Sequence, residues 1–413
     1  MGSLLEKKLQ AEGTVLIEYN IFEKIYIFEK IVTMNTSYSH QCFFILATVV
    51  GSVFFSGCAG RSNNVSAADG PGRIDSVRLV KTGELRFALD EETTPMMQST
   101  FYDSLSGYYY FYNKITGYIE RFHTDSTVKS PVRIKTPVMP WSMNIVSPDS
   151  IYIMDFMDRD DIRLIDRDGV QSASYSLDDK SSILPGGQGQ PYVTSAGLVY
   201  SSNADNDFCL AVIDAVTGEV SEKLIPYPDL YRDFYGDLLM RVPYTAYNGS
   251  KSITVTGFPA DDNIHVLDLI SKKVTSYYAG SIYRDKKLKP LAKGLLGGMR
   301  ISTDKEIEYF REITSYGNIV YDPWRNVYYR IVEKSTPMPG VSLSNKAKKL
   351  AVIVLDQNFR IIGESDISDD AHATFRYSLF VSRNGLNIQL LTGDDELAFA
   401  VYSVEKNDRY EKN

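Results

Sequence analysis

Aromatic side chains with charged neighbours crowd one segment of the chain. Tyr231, Arg232 and Tyr235 lie there within five residues, and Trp141 follows a proline earlier in the sequence. Aromatic faces stack on apolar ligand surfaces while polar groups fix orientation, which suits sugars and peptides. Packing between repeated units of a fold also uses aromatic side chains. The sequence makes these four residues candidate ligand-binding residues, with structural packing as the alternative.

A second aromatic–arginine pair, Trp324 and Arg325, lies in the motif Ile319–Ile331, which reads IVYDPWRNVYYRI. The Asp-Pro dipeptide before Trp324 predicts a turn. Arg325 and Arg330 have two interpretations: they pair with carboxylates at turns, or they bind an anion at a central channel. We keep Trp324 and Arg325 as candidate ligand-binding residues.

Familiar catalytic and metal-binding motifs do not occur in the sequence. There is no G-x-S-x-G, H-E-x-x-H or C-x-x-C, and the four histidines are scattered. His265 stands in the apolar run IHVLD, which predicts a hydrogen-bonded strand residue. The acidic stretch from Asp155 to Asp168 does not follow the EF-hand pattern, so its carboxylates are assigned to turns. The glycine-rich segment 185–191 lacks the ending of a phosphate loop. The sequence predicts no catalytic residue, metal site or cofactor.

Composition narrows the class of protein. The 413 residues include 44 lysines and arginines against 52 acidic residues, a formal net charge of −8. This acidic balance, without a basic stripe, argues against a nucleic-acid partner. A hydrophobic content of 44% excludes disorder of the whole chain. Three cysteines do not make a disulfide scaffold, and Cys209, in the run FCLAVID, is expected in the core.

The one long apolar run, residues 42–55, precedes Ser-Gly-Cys58. A membrane-spanning helix needs about 20 residues, whereas the core of a signal peptide needs roughly 7–15. Small residues before a cysteine are what a lipoprotein signal peptidase requires, so Cys58 is the predicted lipidation site and its lipid links the protein to a membrane. Because the run lies far from the first residue, 1–33 is interpreted as an upstream-start extension and 34–57 as the signal peptide. Residues 58–72 then form a flexible tether.

The rest of the chain repeats short strand-like runs bounded by turn residues. In three successive units an apolar strand ends in an aspartate, at Asp166, Asp214 and Asp268, with spacings of 48 and 54 residues. Repeats of roughly 40–50 residues with several strands each are typical of β-propellers. We therefore expect an all-β propeller over 73–405, with six blades, and a polar tail over 406–413. Seven blades is the alternative count, and a stacked pair of β-sandwiches is the alternative fold.

Three segments of this body carry a resemblance to a known family. They are the opening Val77–Asp90, the motif Ile319–Ile331 and the closing Asp394–Tyr402. With the lipoprotein signal, they make the chain resemble the uncharacterised six-bladed β-propeller lipoproteins of the Bacteroidetes type, a domain of unknown function. The resemblance implies the fold and a cell-envelope location and carries over no catalytic residue. The lack of an acidic cluster after Cys58 favours an outer-membrane anchor facing the periplasm. The strand-like Asp75–Phe87 is expected to pair with the last blade and close the ring.

Two functions follow as hypotheses. The first is a binding or scaffold module tethered by its lipid, with an envelope protein, a glycan or a peptide held on one face of the propeller. The second is a propeller hydrolase or lyase that acts on envelope polysaccharide or peptide, which rests on analogy of fold. A polar pocket at the axis with two carboxylates, or with a histidine and a carboxylate, would favour the enzyme. An apolar or sealed axis would favour the binding module.

Overall fold

The computed structural model describes most of the chain after residue 73. The described residues are 74–94, 98–125, 131–155, 161–176, 192–194, 197–201, 208–214, 217, 219–232, 240–284, 288–291, 303–336, 348–368, 372–373, 378–390, 392–393 and 395–407. Several sequence predictions lie outside these ranges: the extension 1–33, the signal peptide 34–57, the tether 58–72 with Cys58, the segment 185–191 and Tyr235.

Short β-strands make up almost all of the regular structure. They are, in chain order, β1 (Val77–Ala88), β2 (Gln98–Asp103), β3 (Tyr108–Asn113), β4 (Tyr118–His123), β5 (Val132–Lys135), β6 (Pro140–Ser147), β7 (Ser150–Asp155), β8 (Asp161–Ile165), β9 (Gln171–Ser176), β10 (Tyr192–Thr194), β11 (Gly197–Ser201), β12 (Phe208–Ile213), β13 (Val220–Pro226), β14 (Tyr244–Asn248), β15 (Ile253–Gly257), β16 (Asn263–Asp268), β17 (Val274–Tyr278), β18 (Ser315–Asp322), β19 (Val327–Lys334), β20 (Lys348–Leu355), β21 (Ile361–Asp366), β22 (His372–Ala373), β23 (Leu379–Ser382), β24 (Gly385–Gln389) and β25 (Glu396–Lys406). One α-helix, α1 (Thr303–Glu312), and a 3-10 turn at Asp229–Arg232 complete the described elements.

The strands form six antiparallel sheets within the described ranges. Each sheet takes four strands in simple up-and-down order, and the short β22 adds to the fifth sheet beside β20. The first strands of neighbouring sheets contact one another: β2 with β6, β6 with β10, β14 with β18, β18 with β23, and β23 with β2. Six sheets whose first strands line a common centre form a six-bladed propeller. The expected six blades are confirmed, and the alternative count of seven is wrong.

The ring closes between the two ends of the propeller. β1 pairs antiparallel with β25 from Val77 opposite Lys406 to Ala88 opposite Glu396, and so becomes the outermost strand of the last sheet. This is the closure that the opening segment predicts. Because β25 runs to Lys406, the regular structure ends within the expected tail.

The core lies between the sheets rather than inside each one. In β20, Leu350, Val352 and Val354 pack toward the sixth sheet, and the alternating Ala351, Ile353 and Leu355 pack toward the fourth. Successive side chains of a strand point to opposite faces of its sheet. A strand buried on both faces therefore reads as a continuous apolar run, as LAVIVL does here.

Turn aspartates explain the repeated strand-then-Asp pattern. The side chain of Asp166 accepts hydrogen bonds from the N–H groups of Asp168 and Val170 at 2.9 and 2.8 Å. Asp268 does the same for Ile270 and Ser271 at 2.9 and 2.8 Å. The aspartates therefore satisfy backbone donors of tight turns. Within the acidic stretch this is the role of Asp166, whereas Asp155 pairs with Arg163 at 3.4 Å.

The alternating strand directions divide the turns between two faces. One face, the connector face, carries the links between sheets and the turn between the second and third strand of each sheet. The other, the hairpin face, carries the turns between first and second and between third and fourth strands. The loop 258–262 between β15 and β16 lies on the connector face. The turns 104–107 and 269–273 lie on the hairpin face.

Candidate functional site

A dense polar cluster surrounds the loop 258–262 of the fourth sheet. The loop runs from the end of β15 to the start of β16, and the link that contains α1 passes on the same face. Side chains from three other parts of the chain bond to its backbone: Tyr231, Arg284 and Arg330. Three side chains that are distant in sequence therefore converge on one loop.

His265 stands between a serine and an aspartate in this cluster. Its Nε2 lies 2.8 Å from Asp261 Oδ2, and its Nδ1 lies 3.0 Å from Ser276 Oγ. The ring meets the edge of Phe258 at a centroid distance of 5.5 Å and an interplanar angle of 78°. The histidine is therefore hydrogen-bonded on both nitrogens, as its strand position predicts, and its ring is held in one orientation.

Burial and hydrogen bonds fix the charge state of Asp261. Burial alone would raise its pKa, but hydrogen bonds from His265 and from the backbone N–H of Asn263 lower it overall. An ionised carboxylate only accepts hydrogen bonds. His265 must then carry its proton on Nε2, which leaves Nδ1 as an acceptor for the Ser276 hydroxyl. The arrangement is a Ser–His–Asp relay with the base nitrogen directed at an exposed serine.

Arg330 reaches the loop from the neighbouring sheet. Its guanidinium is fully buried and donates to the carbonyl oxygens of Asp261 at 2.6 Å, Ala279 at 2.9 Å and Asp262 at 3.0 Å. It also lies 3.6 Å from the ring centre of Tyr316. Burial lowers the pKa of Arg330. The interpretation of Arg330 as an anion-binding residue has no support here, because its Nη1 and Nη2 groups donate to backbone carbonyls and the side chain is fully buried.

Arg284 holds the same loop from the link after β17. Its guanidinium donates to the carbonyl oxygens of Pro259 at 3.2 Å and Ala260, and its Nε pairs with Asp262 Oδ1 at 2.8 Å. The Tyr316 hydroxyl donates to that same carboxylate oxygen at 2.7 Å. The Asp262 side chain is thereby committed to structural bonds, in contrast to Asp261.

Tyr231, a predicted ligand-binding residue, lies in this cluster as a structural contact. Its hydroxyl donates to the Met240 carbonyl at 2.7 Å and accepts from the Ala260 N–H at 3.1 Å. Its ring packs on Phe258 at a centroid distance of 5.6 Å. Arg232 is exposed and pairs with Asp229 at 2.9 Å. Of the two interpretations given to this aromatic segment, the contacts of Tyr231 are those of packing.

Trp324 and Arg325 lie in the turn between β18 and β19, on the hairpin face. Arg325 donates to Asp322 Oδ2 at 3.0 Å and to the Arg383 carbonyl at 2.9 Å, which ties the fifth sheet to the sixth. Trp324 remains 37% exposed. These contacts give Arg325 the turn-pairing role that the sequence left open and leave Trp324 at the surface.

The candidates from sequence do not form one site. Tyr231 and Arg232 belong to the connector face, Trp324 and Arg325 to the hairpin face, and Trp141 is the second residue of β6. Sequence reasoning missed the pairing of His265 with Asp261 and Ser276. Asp261 precedes His265 by four residues, a spacing that by itself does not predict a contact. Ser276 contacts His265 only because the register of β16 and β17 places the two residues opposite each other. This histidine–carboxylate pair lies on the outer half of its sheet, away from the axis.

Metal ligands, membrane-spanning helices and the buried cysteine are the remaining features of interest in the described residues. They contain no group of three or more histidine, cysteine or acidic side chains placed to hold a metal ion. Among the same residues, no helix combines the length and apolar character needed to cross a membrane. Cys209 is buried in β12, and burial raises the pKa of its thiol, so it packs as the small apolar residue that its surroundings predict.

Six four-stranded sheets around a common centre define the protein as a six-bladed β-propeller. The pattern of the family described as domain of unknown function DUF4221 matches residues 136–366, more than half of the chain. The chain belongs to this family, which confirms the resemblance seen in its motifs. No match was found among the curated proteins.

The fold is also that of a solved structure from the same family. A member of the DUF4221 family from Bacteroides vulgatus has a TM-score of 0.64 and 22% identity, over 81% of this chain and 99% of that chain. At this identity the likeness shows the fold alone. A putative exported protein from Bacteroides fragilis gives a TM-score of 0.46 at 9% identity, over 81% and 97% of the two chains. The calcium-binding protein regucalcin from Agrobacterium tumefaciens gives 0.43 at 13% identity, over 78% and 94%.

Proposed function

We propose that the protein is a lipid-anchored binding module of the cell envelope that holds a membrane protein on its hairpin face. Exposed apolar side chains at the tips of four hairpin-face turns carry this proposal. They are Leu105, 93% exposed, Ile270, 80%, Val170, 61%, and Trp324, 37%. Such tips are ordinarily glycine, asparagine, aspartate or serine. Apolar tips repeated on four sheets of one face would offer a partner apolar contacts distributed over that face.

The energy available at this face is sufficient for recognition. Full burial of a large apolar side chain against a partner yields roughly 1.5–3 kcal/mol. The four tips belong to the first, second, fourth and fifth sheets, so only a partner that covers much of the face contacts all of them. A broad protein surface meets this condition better than a short glycan or peptide.

The start of the propeller supports a partner in the same membrane. Ile74 donates its backbone N–H to the carbonyl of Ile361, the first residue of β21, at 3.1 Å. Strand β21 begins at the hairpin face, so the chain enters the propeller on that face. A tether over 58–73 would span about 20–25 Å as a flexible coil. A lipid on Cys58 would then keep the hairpin face close to the membrane surface.

Site-specific photocrosslinking in the native envelope tests the binding face. Photoreactive residues at Leu105 and Ile270 are compared with matched exposed positions on the connector face, Ile115 and Ile282. We expect one discrete adduct from the hairpin positions, weakened by the unlabelled substitution Val170→Asp. Adducts from the connector positions alone, or none from any position, would contradict the proposed face.

The anchor is tested separately. Growth with a labelled fatty acid should label the wild-type protein, and Cys58→Ala should abolish the label. Cys209→Ala is the control for the thiol itself. A wild-type protein that takes up no label would remove the anchor from the proposal while leaving the binding face to be judged by its own crosslinks.

A further inference from the structure

We propose that Ser276 is the nucleophile of an acyl-hydrolase site on the fourth sheet, with His265 as its base and Asp261 as a positioning residue. The substrate class is a carboxylic ester with a small acyl group. This activity goes beyond the proposed binding function and uses the outer edge of the fourth sheet instead of the hairpin face.

The strand register places the nucleophile against the base. His265 in β16 lies directly opposite Ser276 in β17. The pairs three positions away on either side are hydrogen-bonded. The backbone N–H of Ala279 donates to the Asp262 carbonyl at 2.9 Å, and the backbone N–H of Asp268 donates to the Lys273 carbonyl at 3.0 Å. Because hydrogen-bonded pairs alternate with non-hydrogen-bonded ones, Ser276 and His265 form a non-hydrogen-bonded pair. Side chains approach most closely in such pairs.

The same register directs a backbone donor at the reacting centre. In a non-hydrogen-bonded pair, the N–H of Ser276 points away from β16. β17 is the outermost strand of its sheet within the described chain. That N–H therefore faces the outer edge, next to the Ser276 hydroxyl. A backbone N–H beside the nucleophile is the kind of donor that stabilises the oxyanion of a tetrahedral intermediate.

The surroundings of the relay suit its chemistry. Ser276 is exposed and reachable by a substrate, whereas Asp261 is buried. Tyr278, two residues further along β17, lies over Gly280 and leaves the space beside the hydroxyl open. An exposed edge with no enclosing cleft in the described residues suits a small acyl group.

The chemical steps balance with water as the only co-reactant. Ser276 Oγ bonds to the ester carbonyl carbon while its proton passes to His265 Nδ1. The tetrahedral intermediate collapses, the alcohol leaves with that proton, and the acyl group remains on Ser276. Water then attacks the acyl carbon, gives its proton to Nδ1, and releases the carboxylic acid as the serine hydroxyl is restored.

The test uses a fluorophosphonate probe, which forms a bond to an activated serine oxygen and loses fluoride, with p-nitrophenyl acetate as substrate. Ser172 is the matched control, because it is an exposed serine in an outermost strand whose hydroxyl donates to the Leu164 carbonyl. We expect the probe on Ser276 and not on Ser172. Ser276→Ala should abolish ester turnover, and Ser172→Ala should leave it unchanged.

His265→Asn should slow labelling of Ser276 by at least about 100-fold, the lower range for loss of a general base. Asp261→Asn should slow labelling and move its pH profile, since the carboxylate sets which nitrogen is protonated. The charged groups on the loop before His265 are Asp261 and Asp262, and the guanidinium groups packed against that loop are those of Arg284 and Arg330. Thermal unfolding of Ser276→Ala, an exposed substitution, should match the wild type. Absence of label on wild-type Ser276, or equal labelling in wild type and His265→Asn, would overturn the proposal.

Discussion

The substitution Arg330→Met tests whether a buried cation holds the fourth and fifth sheets together. The side chain lies in β19, and three of its hydrogen bonds to carbonyls measure 3.0 Å or less. Methionine keeps much of the volume but donates nothing, so these carbonyls lose a charged donor. A buried carbonyl group that has lost its donor destabilises the folded state relative to the unfolded state.

The magnitude follows from two opposing terms. Three hydrogen bonds to a charged group, at about 1.5 kcal/mol each, give about 4–5 kcal/mol. Methionine also avoids the desolvation of a buried cation, which offsets part of that loss. We expect Arg330→Met to lower the free energy of unfolding by about 3 kcal/mol.

Urea denaturation followed by intrinsic fluorescence measures this loss. With a slope of about 3 kcal/mol per molar urea for a domain of this size, the midpoint should fall by about 1 M. The control is Arg78→Met, since Arg78 is half-exposed and its pair with Glu405 measures 3.7 Å. Such surface pairs contribute about 0–1 kcal/mol. If both variants shift the midpoint equally, the buried hydrogen bonds do not stabilise the contact between the sheets.

Three further predictions concern other buried features. Burial lowers the pKa of Lys348 to about 7, while the unfolded chain keeps its ordinary value near 10.5. The unfolded state then binds more protons between these values, so stability should rise from about pH 7 to 10, and Lys348→Met should flatten that rise in urea melts at several pH values. Gly385→Ala should lower the melting temperature by several degrees, because φ is +137° and a Cβ would lie 2.0 Å from the Tyr402 carbonyl oxygen; Gly83→Ala, with open space around it, is the control. A chain that begins after β1 should lose cooperative unfolding by calorimetry, since β25 then has no outer partner; an intact transition would show that β1 is dispensable.

Much of the fold could be predicted because its signals are local. The run Ala351–Leu355 is apolar throughout since both faces of its sheet are covered. Asp166 and Asp268 mark turns whose backbone donors they satisfy. Each of these patterns depends on residues close in sequence, so reading the chain in order recovers the strands and the period of the repeat.

The candidate site could not be predicted in the same way, because its contacts are not local. Arg330 reaches carbonyls more than 50 residues away, and nothing in the Ile319–Ile331 motif indicates which ones. The sequence around Tyr231 predicts an exposed aromatic side chain that could bind a ligand. In the structure its hydroxyl donates to one backbone carbonyl and accepts from one backbone N–H. The helix α1 could not be predicted with the same ease, since it is a single ten-residue element inside a long link between sheets.

The charged anchors of the loop 258–262 link the stability of the propeller to the relay. Arg284 and Arg330 both donate buried hydrogen bonds to its carbonyl oxygens, although burying a cation carries a desolvation cost that apolar packing does not. A guanidinium adds hydrogen bonds of defined geometry, because its planar group presents several N–H donors in a rigid arrangement. Arg330 holds the backbone carbonyl of Asp261, and the Asp261 side chain orients His265. Asp261, the one member of the relay on a loop, can thus be held as firmly as the strand residues His265 and Ser276, and acyl transfer at Ser276 requires such fixed geometry.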